Sequence, residues 1–292
     1  MFKSNHDFIT PYLVTKGKKF RLKDHDPKDT AHIDDKEHAE ELLKQGVERL
    51  AKLQDMLYAH NHWSLLLIFQ ATDAAGKDGV IKHVMSGINP QGCQVYSFKK
   101  PSTEEMDHDF LWRTNKCLPE RGRIGIFNRS YYEEVLVVKV HPEYLGYQHL
   151  PPQLIGKDVW EHRYESINDL EKHLARNGTV VRKFFLNVSH DEQLRRFKRR
   201  LEDPQRNWKY DPGDAAERVH WDEYQQAYED CIRATASDHA PWVIVPADNK
   251  WFSRLVVASA VIDALESLNL HYPEVSAAKK KELAAAAEAL GV

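Results

Sequence analysis

The sequence predicts an α/β fold of three layers, in which a sheet of about five parallel strands lies between two layers of helices. Five short apolar segments alternate with longer segments whose apolar residues recur at helical spacing. The segment "SLLLIFQ" at 64–70 contains a continuous apolar run, which is typical of a parallel strand buried on both faces. Strands that alternate with helices in this way indicate a parallel sheet covered by helices.

The elements are justified in chain order by spacing and by turn signals. Apolar residues such as Leu43, Val47, Leu50 and Leu57 recur at helical intervals before the first strand. The later strands are rich in β-branched and aromatic residues, as in "VVRKFFLNV" and "WVIVP". The predicted strands are 64–70, 93–98, 123–127, 180–188 and 242–246. The predicted helices cover about 32–60, 77–86, 103–117, a stretch from Ser130, 158–175, 191–201, 215–234, 251–268 and 279–290.

Three regions follow from this pattern. Residues 1–30 are polar without clear periodicity, and we expect an N-terminal arm on the surface. Residues 31–270 form a single predicted domain, and residues 271–292 form a C-terminal helical tail.

Ser102 and Glu105 have the spacing of a capping box at the start of the helix 103–117.

Composition limits the class of protein. Of 292 residues, 42% are hydrophobic and 29% are charged, which is ordinary for a globular chain. The net charge of −3 means that any site for a polyanion must be local. Three widely spaced cysteines indicate neither a disulfide framework nor a structural zinc site. The chain has no long apolar run at its start or elsewhere, so we expect no signal peptide, no membrane span and a cytoplasmic protein.

The loop "FQATDAAGKDG" at 69–79 is similar to a phosphate-binding loop with two departures. The pattern G-x-x-x-x-G-K-[ST] has Gly where this chain has Ala71, and Ser or Thr where it has Asp78. The loop follows a buried strand and opens a helix, so its backbone N–H groups and the helix N-terminus can bind an anion. A strand-to-helix turn that carries a surface lysine, Lys77, is the simpler alternative.

The departure at Asp78 changes which residue is expected to bind a metal. Ser or Thr after the lysine normally contacts Mg²⁺, whereas Asp78 is suited to capping the new helix with its carboxylate. If the site holds a metal, Asp73 inside the loop is the candidate ligand. The alternative for Asp73 is an ordinary turn residue.

The segment "IFNRSYYEE" at 126–134 ends the third predicted strand, and ligands of open α/β sheets bind at that edge. Asn128 stands where a metal-ligating Asp is usual, and the planar fork of Arg129 suits phosphate. Glu133 has two interpretations. It can complete a capping box with Ser130, or it can bind Mg²⁺.

The segment "RRFKRRLEDPQRNWK" at 195–209 holds seven Lys or Arg and two acids. A solvated helix face is the simplest interpretation. Trp208 could instead stack on the bases of a nucleic acid. Because Asp203 and Pro204 interrupt the basic helix, a mobile lid over a phosphate site is the third interpretation.

These segments, in this order, resemble the family-2 polyphosphate kinases. The resemblance rests on "ATDAAGKDGVIKHV", "INPQG", "SFKKPSTEE", "HDFLWR", "GIFNRSYYEEVLVVKVHPEYL", "RKFFLNVS", "RNWKY" and "APWVIVPADNKWF", and it runs from about Leu42 to Leu268. It implies a P-loop kinase-like fold with a helical lid, here at about 190–222. In that family the loop commonly carries G-K-D, so Asp78 is not a damaged position.

The resemblance implies roles for individual residues. Asp73 and Glu133 correspond to metal-binding carboxylates, and Lys77 and Arg129 to phosphate-binding cations. Glu134 is Asp in some relatives and is assigned no role. The remaining expected phosphate or polyphosphate contacts are Ala75, Gly76, Asp78, Gly79, Lys82, Lys183, Arg196, Arg200 and Lys209.

The implied activity is reversible phosphoryl transfer from inorganic polyphosphate to a nucleotide, with Mg²⁺ or Mn²⁺. A homodimer or homotetramer is also implied, with neither nucleic acid nor membrane as partner. Two alternatives stay open from the residues alone. One is an ATP-dependent nucleoside monophosphate kinase, and the other is a non-catalytic sensor of nucleotides or polyanions.

Overall fold

The computed structural model describes residues 4–33 and 35–291. Six strands form one sheet: β1 (Leu13–Val14), β2 (Ser64–Gln70), β3 (Cys93–Ser97), β4 (Ile124–Asn128), β5 (Thr179–Asn187) and β6 (Trp242–Pro246). Their spatial order is β1-β6-β5-β2-β4-β3, and the strands from β2 to β6 are parallel. The five predicted strands are confirmed, and β1 is an addition.

The α-helices among the described residues alternate with these strands. They are α1 (Asn5–Ile9), α2 (Lys36–His60), α3 (Lys77–Val84), α4 (Thr103–Met106), α5 (Trp112–Asn115), α6 (Val137–Val140), α7 (Val159–Arg176), α8 (His190–Glu202), α9 (Pro212–Ala216), α10 (Trp221–Thr235), α11 (Lys250–Glu266) and α12 (Ala277–Leu290). None of them is both long and apolar enough to cross a bilayer.

Each face of the sheet has its own hydrophobic core. Side chains alternate between the two faces along a strand, so Leu65 and Leu67 of β2 face one core while Leu66 and Ile68 face the other. The first core contains α2, α3 and α11, and the second contains α7 and α10. This is the predicted three-layer α/β/α arrangement.

The N-terminal arm is part of the fold, which corrects the expectation that it lies on the surface. Within its described part, Leu13 and Val14 pair antiparallel with Val243 and Trp242 of β6. The ring of Phe252 in α11 lies 5.9 Å from the ring of Tyr12, and Tyr12 is buried. Apolar residues scattered in a polar segment show no periodicity, so the sequence pattern could not reveal this packing.

Two predicted helices are shorter than expected. The segment 103–117 contains α4 and α5 instead of one helix, although Ser102 and Glu105 do form the capping box. The segment after Ser130 begins as a 3₁₀ turn, Tyr131–Val135, before the short α6. In that turn the hydroxyls of Tyr131 and Tyr132 both donate to Glu171 of α7. This tertiary contact, invisible to local spacing, holds the tight turn.

Candidate active site

The phosphate loop, residues 71–76, and the turn after β4 lie side by side at the carboxyl edge of the sheet. Phe69 of β2 is in register with Asn128 of β4, so the two strands end at the same level. The backbone N–H of Arg129 donates to Phe69 O, at 3.0 Å, and fixes where the turn begins. This is the edge at which ligands bind in open α/β sheets.

The phosphate loop depends on two left-handed residues. Ala74 has φ of 61° and Gly76 has φ of 105°. The second value is far outside what a residue with a Cβ adopts readily, which explains the glycine. Helix α3 begins directly afterwards at Lys77, as predicted. The Lys77 ammonium donates to Ala71 O at 2.8 Å, and burial, followed by the charge of Arg129, lowers its pKa.

Arg129 connects the two predicted carboxylates. Its Nη2 lies 2.8 Å from Asp73 Oδ1, and its Nη1 lies 3.9 Å from Glu133 Oε2. Burial works against the charge of this guanidinium, yet Glu133 and Asp73 together raise its pKa. Arg129 also has a left-handed backbone, with φ of 64°. Such conformations are costly and cluster at functional sites.

Glu133 does not serve as a helix cap. Ser130 Oγ accepts from the Tyr132 N–H at 3.1 Å, while the Glu133 side chain lies beside Arg129. Only 16% of this side chain is exposed. Burial therefore raises its pKa, and the positive charges of Arg129 and Lys77 offset part of that rise. The structure favours the interpretation of Glu133 as a site carboxylate.

Asp78 has a partner across the site instead of a capping role. Asn128 Nδ2 donates to Asp78 Oδ1 at 2.7 Å, and the residue before α3, Gly76, caps it without a side-chain hydrogen bond. Asp78 replaces the usual Ser or Thr of a phosphate loop, and Asn128 replaces the usual Asp at the strand end. These two unusual residues are hydrogen-bonded to each other. An amide donor meets a carboxylate acceptor, and the loop is tied to the end of β4.

A cavity of about 830 Å³ opens between the phosphate loop and the lid, residues 190–222. We call it the cation cavity, because eleven Lys or Arg side chains line it against three carboxylates. The predicted cations among them are Lys77, Lys82, Arg129, Arg196, Arg200 and Lys209. Asp73 lines the cavity, whereas Glu133 is not among the lining residues and lies beside Arg129. Such an excess of positive charge suits a polyanion.

The lid approaches the loop from one side of the cavity. Helix α8 ends at Glu202, directly before Asp203 and Pro204, as predicted from sequence. Arg200 Nη1 lies 3.0 Å from Asp214 Oδ2 and joins α8 to α9. Trp208 is 78% exposed and also lines the cavity.

The structure corrects the expectation for Lys183. This residue of β5 is 0% exposed and lies in the core under the sheet instead of in the cation cavity. Its three ammonium donors go to Glu171 Oε2 at 2.6 Å, Thr235 O at 2.7 Å and Tyr132 Oη at 3.0 Å. A lysine with every donor used inside the protein has none for polyphosphate. Matching the position alone could not show on which face of β5 it lies.

Five cations of the cavity were missed from sequence: Lys99, Arg199, Arg206, Lys250 and Arg254. Lys250 and Arg254 lie on the first turns of α11, after the segment "ADN" at 247–249 that follows β6. The position after a parallel strand was the available signal, because all such strands end at one edge. Burial, followed by the charges of Arg196, Arg199 and Arg206, lowers the pKa of Lys250 to about 8.

The two carboxylates fit a magnesium ion that is coordinated partly by the protein and partly by a substrate. Within residues 4–33 and 35–291, no group of three or more His, Cys, Asp or Glu side chains forms a ready metal centre. Mg²⁺ commonly takes one or two carboxylates and fills the other positions with water and phosphate. The amide of Gln70 is fully buried, and neither its nitrogen nor its oxygen has a hydrogen-bond partner of ordinary geometry within the described chain. It lies close to Glu133 and offsets part of the rise in the pKa of that carboxylate. An unsatisfied polar group beside the Glu133 carboxylate fits a hydrated cation.

Comparison with known proteins agrees with this geometry. The sequence model of the family "Polyphosphate kinase 2 (PPK2)" matches residues 32–273. The chain is 54% identical to an ADP-polyphosphate phosphotransferase of Rhodopseudomonas palustris, covering 93% of this chain and 94% of that protein. It is 42% identical to an AMP/ADP-polyphosphate phosphotransferase of Meiothermus ruber, covering 92% and 97%.

A solved structure gives the same result at the level of the fold. The crystal structure of polyphosphate kinase 2 from Arthrobacter aurescens superposes with a TM-score of 0.85 at 39% identity, covering 97% of both chains. Family match, close relatives and fold agree along almost the whole length of the chain. The protein belongs to the polyphosphate kinase 2 family.

Proposed function

We propose that this enzyme transfers the terminal phosphoryl group of inorganic polyphosphate to a nucleotide, reversibly and with Mg²⁺ or Mn²⁺. The observation that carries the proposal is the cation cavity, which continues from the phosphate loop to the lid with eleven cations against three carboxylates. A nucleotide alone would need a few of these charges, whereas a long polyanion can use most of them. The names of the relatives from R. palustris and M. ruber support the same chemistry.

The nucleophile is the terminal phosphate oxygen of the acceptor nucleotide. Its second pKa is about 6, so it is already an anion at neutral pH and needs no general base. It forms a bond to the end phosphorus of the polyphosphate while the bridging P–O bond to the rest of the chain breaks. The shortened polyphosphate leaves with the electron pair of that bond. The protein therefore has to align two polyanions and offset their charge.

Lys77 and Arg129 are placed to offset charge on the transferred group. Lys77 stands at the start of α3, beside the backbone of the phosphate loop, and Arg129 faces the loop from the end of β4. Arg129 is held by Asp73 on one side and Glu133 on the other, so its position is set in advance. Groups fixed in place before the reaction avoid the cost of reorganisation during it.

Asp73 and Glu133 would hold the divalent ion. An ion held there would supply positive charge that neutralises part of the phosphate charge of donor and acceptor. Asp73 lies in the phosphate loop and Glu133 in the turn after β4, so both elements would contribute one ligand each. The remaining positions would belong to water and substrate.

One assay tests the proposal. Purified protein is mixed with ADP, Mg²⁺ and polyphosphate, with no ATP supplied, and ATP formation is followed over time. We expect ATP and a shortened polyphosphate. An ATP-dependent monophosphate kinase would form no product from polyphosphate, and a sensor would bind both substrates without turnover. Either result would overturn the proposal.

The acceptor preference is part of the same proposal. We take ADP and GDP as acceptors, with AMP as a further one. One relative is named for ADP and another for AMP and ADP. Parallel assays with AMP, ADP and GDP compare kcat/KM for each, and absence of turnover with both diphosphates would contradict this choice.

The lid and the assembly complete the proposal. The basic segment 195–209 contributes to a cavity that also holds the phosphate loop, so we propose polyphosphate instead of nucleic acid as its ligand. The test measures polyphosphate-dependent turnover with and without single-stranded DNA at equal phosphate concentration, and inhibition by the DNA would contradict the proposal. We also propose a homodimer or homotetramer, which sedimentation analysis would distinguish from a monomer.

A further inference from the structure

Three successive carbonyl groups of the phosphate loop are held by one turn of α8. Gln193 Nε2 donates to Asp73 O at 3.0 Å. Arg196 Nη1 donates to Ala74 O at 3.2 Å and also to Ala75 O. Because Gln193 and Arg196 are three residues apart on a helix, they lie on the same face of α8.

Arg196 also holds a second loop. Its Nη2 donates to Ala247 O and Asp248 O, which lie between β6 and α11. Its Nε donates to Glu192 Oε1 at 2.6 Å, one helical turn earlier. The side chain therefore joins the phosphate loop, the loop before α11 and the lid helix.

The hydrogen-bonding capacity of Arg196 is fully used. A guanidinium has five N–H donors in a fixed plane. Here they meet five acceptors: the oxygens of Ala74, Ala75, Ala247, Asp248 and Glu192. The residue is 6% exposed. Although it reaches the wall of the cation cavity, it has no donor left for a phosphate oxygen.

We propose that Arg196, with Gln193, is a positioning residue that sets the conformation of the phosphate loop, and that it is not a contact of polyphosphate. A trans peptide is planar, and its N–H points opposite to its C=O. With the carbonyls of Asp73 and Ala75 turned toward α8, the N–H groups of Ala74 and Gly76 turn away from it. Both residues line the cavity, so the loop offers these groups to an anion.

The lid thereby acts on the loop. Helix α8 carries both the side chains that hold the loop and, one turn further along, the cavity cations Arg199 and Arg200. A movement of α8 would change the loop conformation and the phosphate-binding charges together. Gln193 is in turn fixed by Arg218, also of the lid, whose Nη1 donates to Gln193 Oε1 at 2.9 Å.

The test compares Arg196→Lys with Arg199→Gln, which removes the charge of an exposed cation on the same helix. Its kinetic arm rests on the proposed function, whereas its second arm does not. Lysine keeps the charge, but its ammonium has three donors and lacks the planar arrangement of a guanidinium. It therefore cannot replace the five hydrogen bonds of Arg196. We expect kcat of Arg196→Lys to fall by about 10²-fold, with little change in KM for polyphosphate. For Arg199→Gln we expect a raised KM and a slope of log KM against log salt that is lower by about 1.

The second arm measures hydrogen–deuterium exchange of the peptide covering 71–79 in the free protein. Faster exchange in Arg196→Lys, but not in Arg199→Gln, supports the positioning role even if no turnover is found for any variant. Gln193→Met provides a milder variant if Arg196→Lys folds poorly, because Gln193 does not line the cavity. The proposal fails if Arg196→Lys keeps normal kcat and exchange, or if its main effect is a raised KM for polyphosphate, as in Arg199→Gln.

Discussion

The Arg129 guanidinium donates to the Asp73 carboxylate at 2.8 Å and so joins the phosphate loop to the turn after β4. Both residues lie outside the helices and strands. Asp73 follows β2 and Arg129 follows β4, and these two strands end at the same edge of the sheet. An ion pair of the protein itself thus fixes the distance between a proposed metal ligand and a proposed phosphate-binding cation.

Replacing Asp73 with Asn should reduce phosphoryl transfer by about 10²–10³-fold, because the amide is a poor magnesium ligand and no longer pairs with Arg129. Initial rates of ATP formation from ADP and polyphosphate give the measurement. Asp169→Asn, on the exposed surface of α7, is the matched control, and thermal unfolding checks that both variants fold. Turnover close to normal in Asp73→Asn would remove this residue from the site.

Polyphosphate binding should take up protons near pH 8. Burial and three neighbouring arginines lower the pKa of Lys250 to about 8, so the side chain loses its charge as the pH rises through that value. A polyanion favours the charged form and draws a proton from solution when it binds. KM for polyphosphate should therefore rise above pH 8.

Calorimetric titration at pH 8 in two buffers of different ionisation enthalpy measures this uptake, which should be less than one proton for each site. Lys250→Arg keeps its charge throughout the range and should abolish both the uptake and the rise in KM. An unchanged pH profile in that variant would show that another group titrates.

Lys183→Met should destabilise the protein by about 3–5 kcal/mol, because it leaves the buried carboxylate of Glu171 without its cation. Urea unfolding gives the free energy, and KM for polyphosphate should stay unchanged in the folded variant. The double variant Lys183→Met with Glu171→Leu should recover much of the loss. A raised KM with full stability would instead return Lys183 to the polyphosphate site.

Gly76→Ala should cost about 1–3 kcal/mol, because φ of 105° is a conformation that alanine adopts only with strain. Gly79→Ala is the matched control, since it lies within α3 and a Cβ there meets open space. It should stabilise the protein by up to about 1 kcal/mol through its higher helix propensity. Equal effects on the free energy of unfolding would argue against strain at Gly76.

The sequence predicted the parts of the site that depend on local order along the chain. The phosphate loop could be found because the strand, the glycine, Lys77 and the new helix are consecutive. The turn at Arg129 could be found because it ends a strand of the same sheet. In both cases a parallel sheet brings the ends of distant strands to one edge, and the pattern of strands is itself visible in the sequence.

What the sequence could not predict depends on the direction of side chains and on contacts between distant segments. Lys183 is a basic residue in a strand, and only the packing of α7 and α10 shows that it is buried beside Glu171. Arg196 and Arg199 are both arginines of one basic run. Only Arg196 meets the carbonyl groups of the phosphate loop, and this depends on where that loop lies beside α8, which no local pattern contains.

The short strand β1 determines where the chain can be cut. A protein trimmed to begin at residue 31 would match the part that the sequence indicates as the domain, but it would lack the strand paired with Val243 and the ring packed on Phe252. An uncovered outer strand with free backbone groups is a template for aggregation. Light scattering should therefore rise in such a shortened protein while the full chain stays dispersed, and the arm is best regarded as the protection of the open side of the sheet.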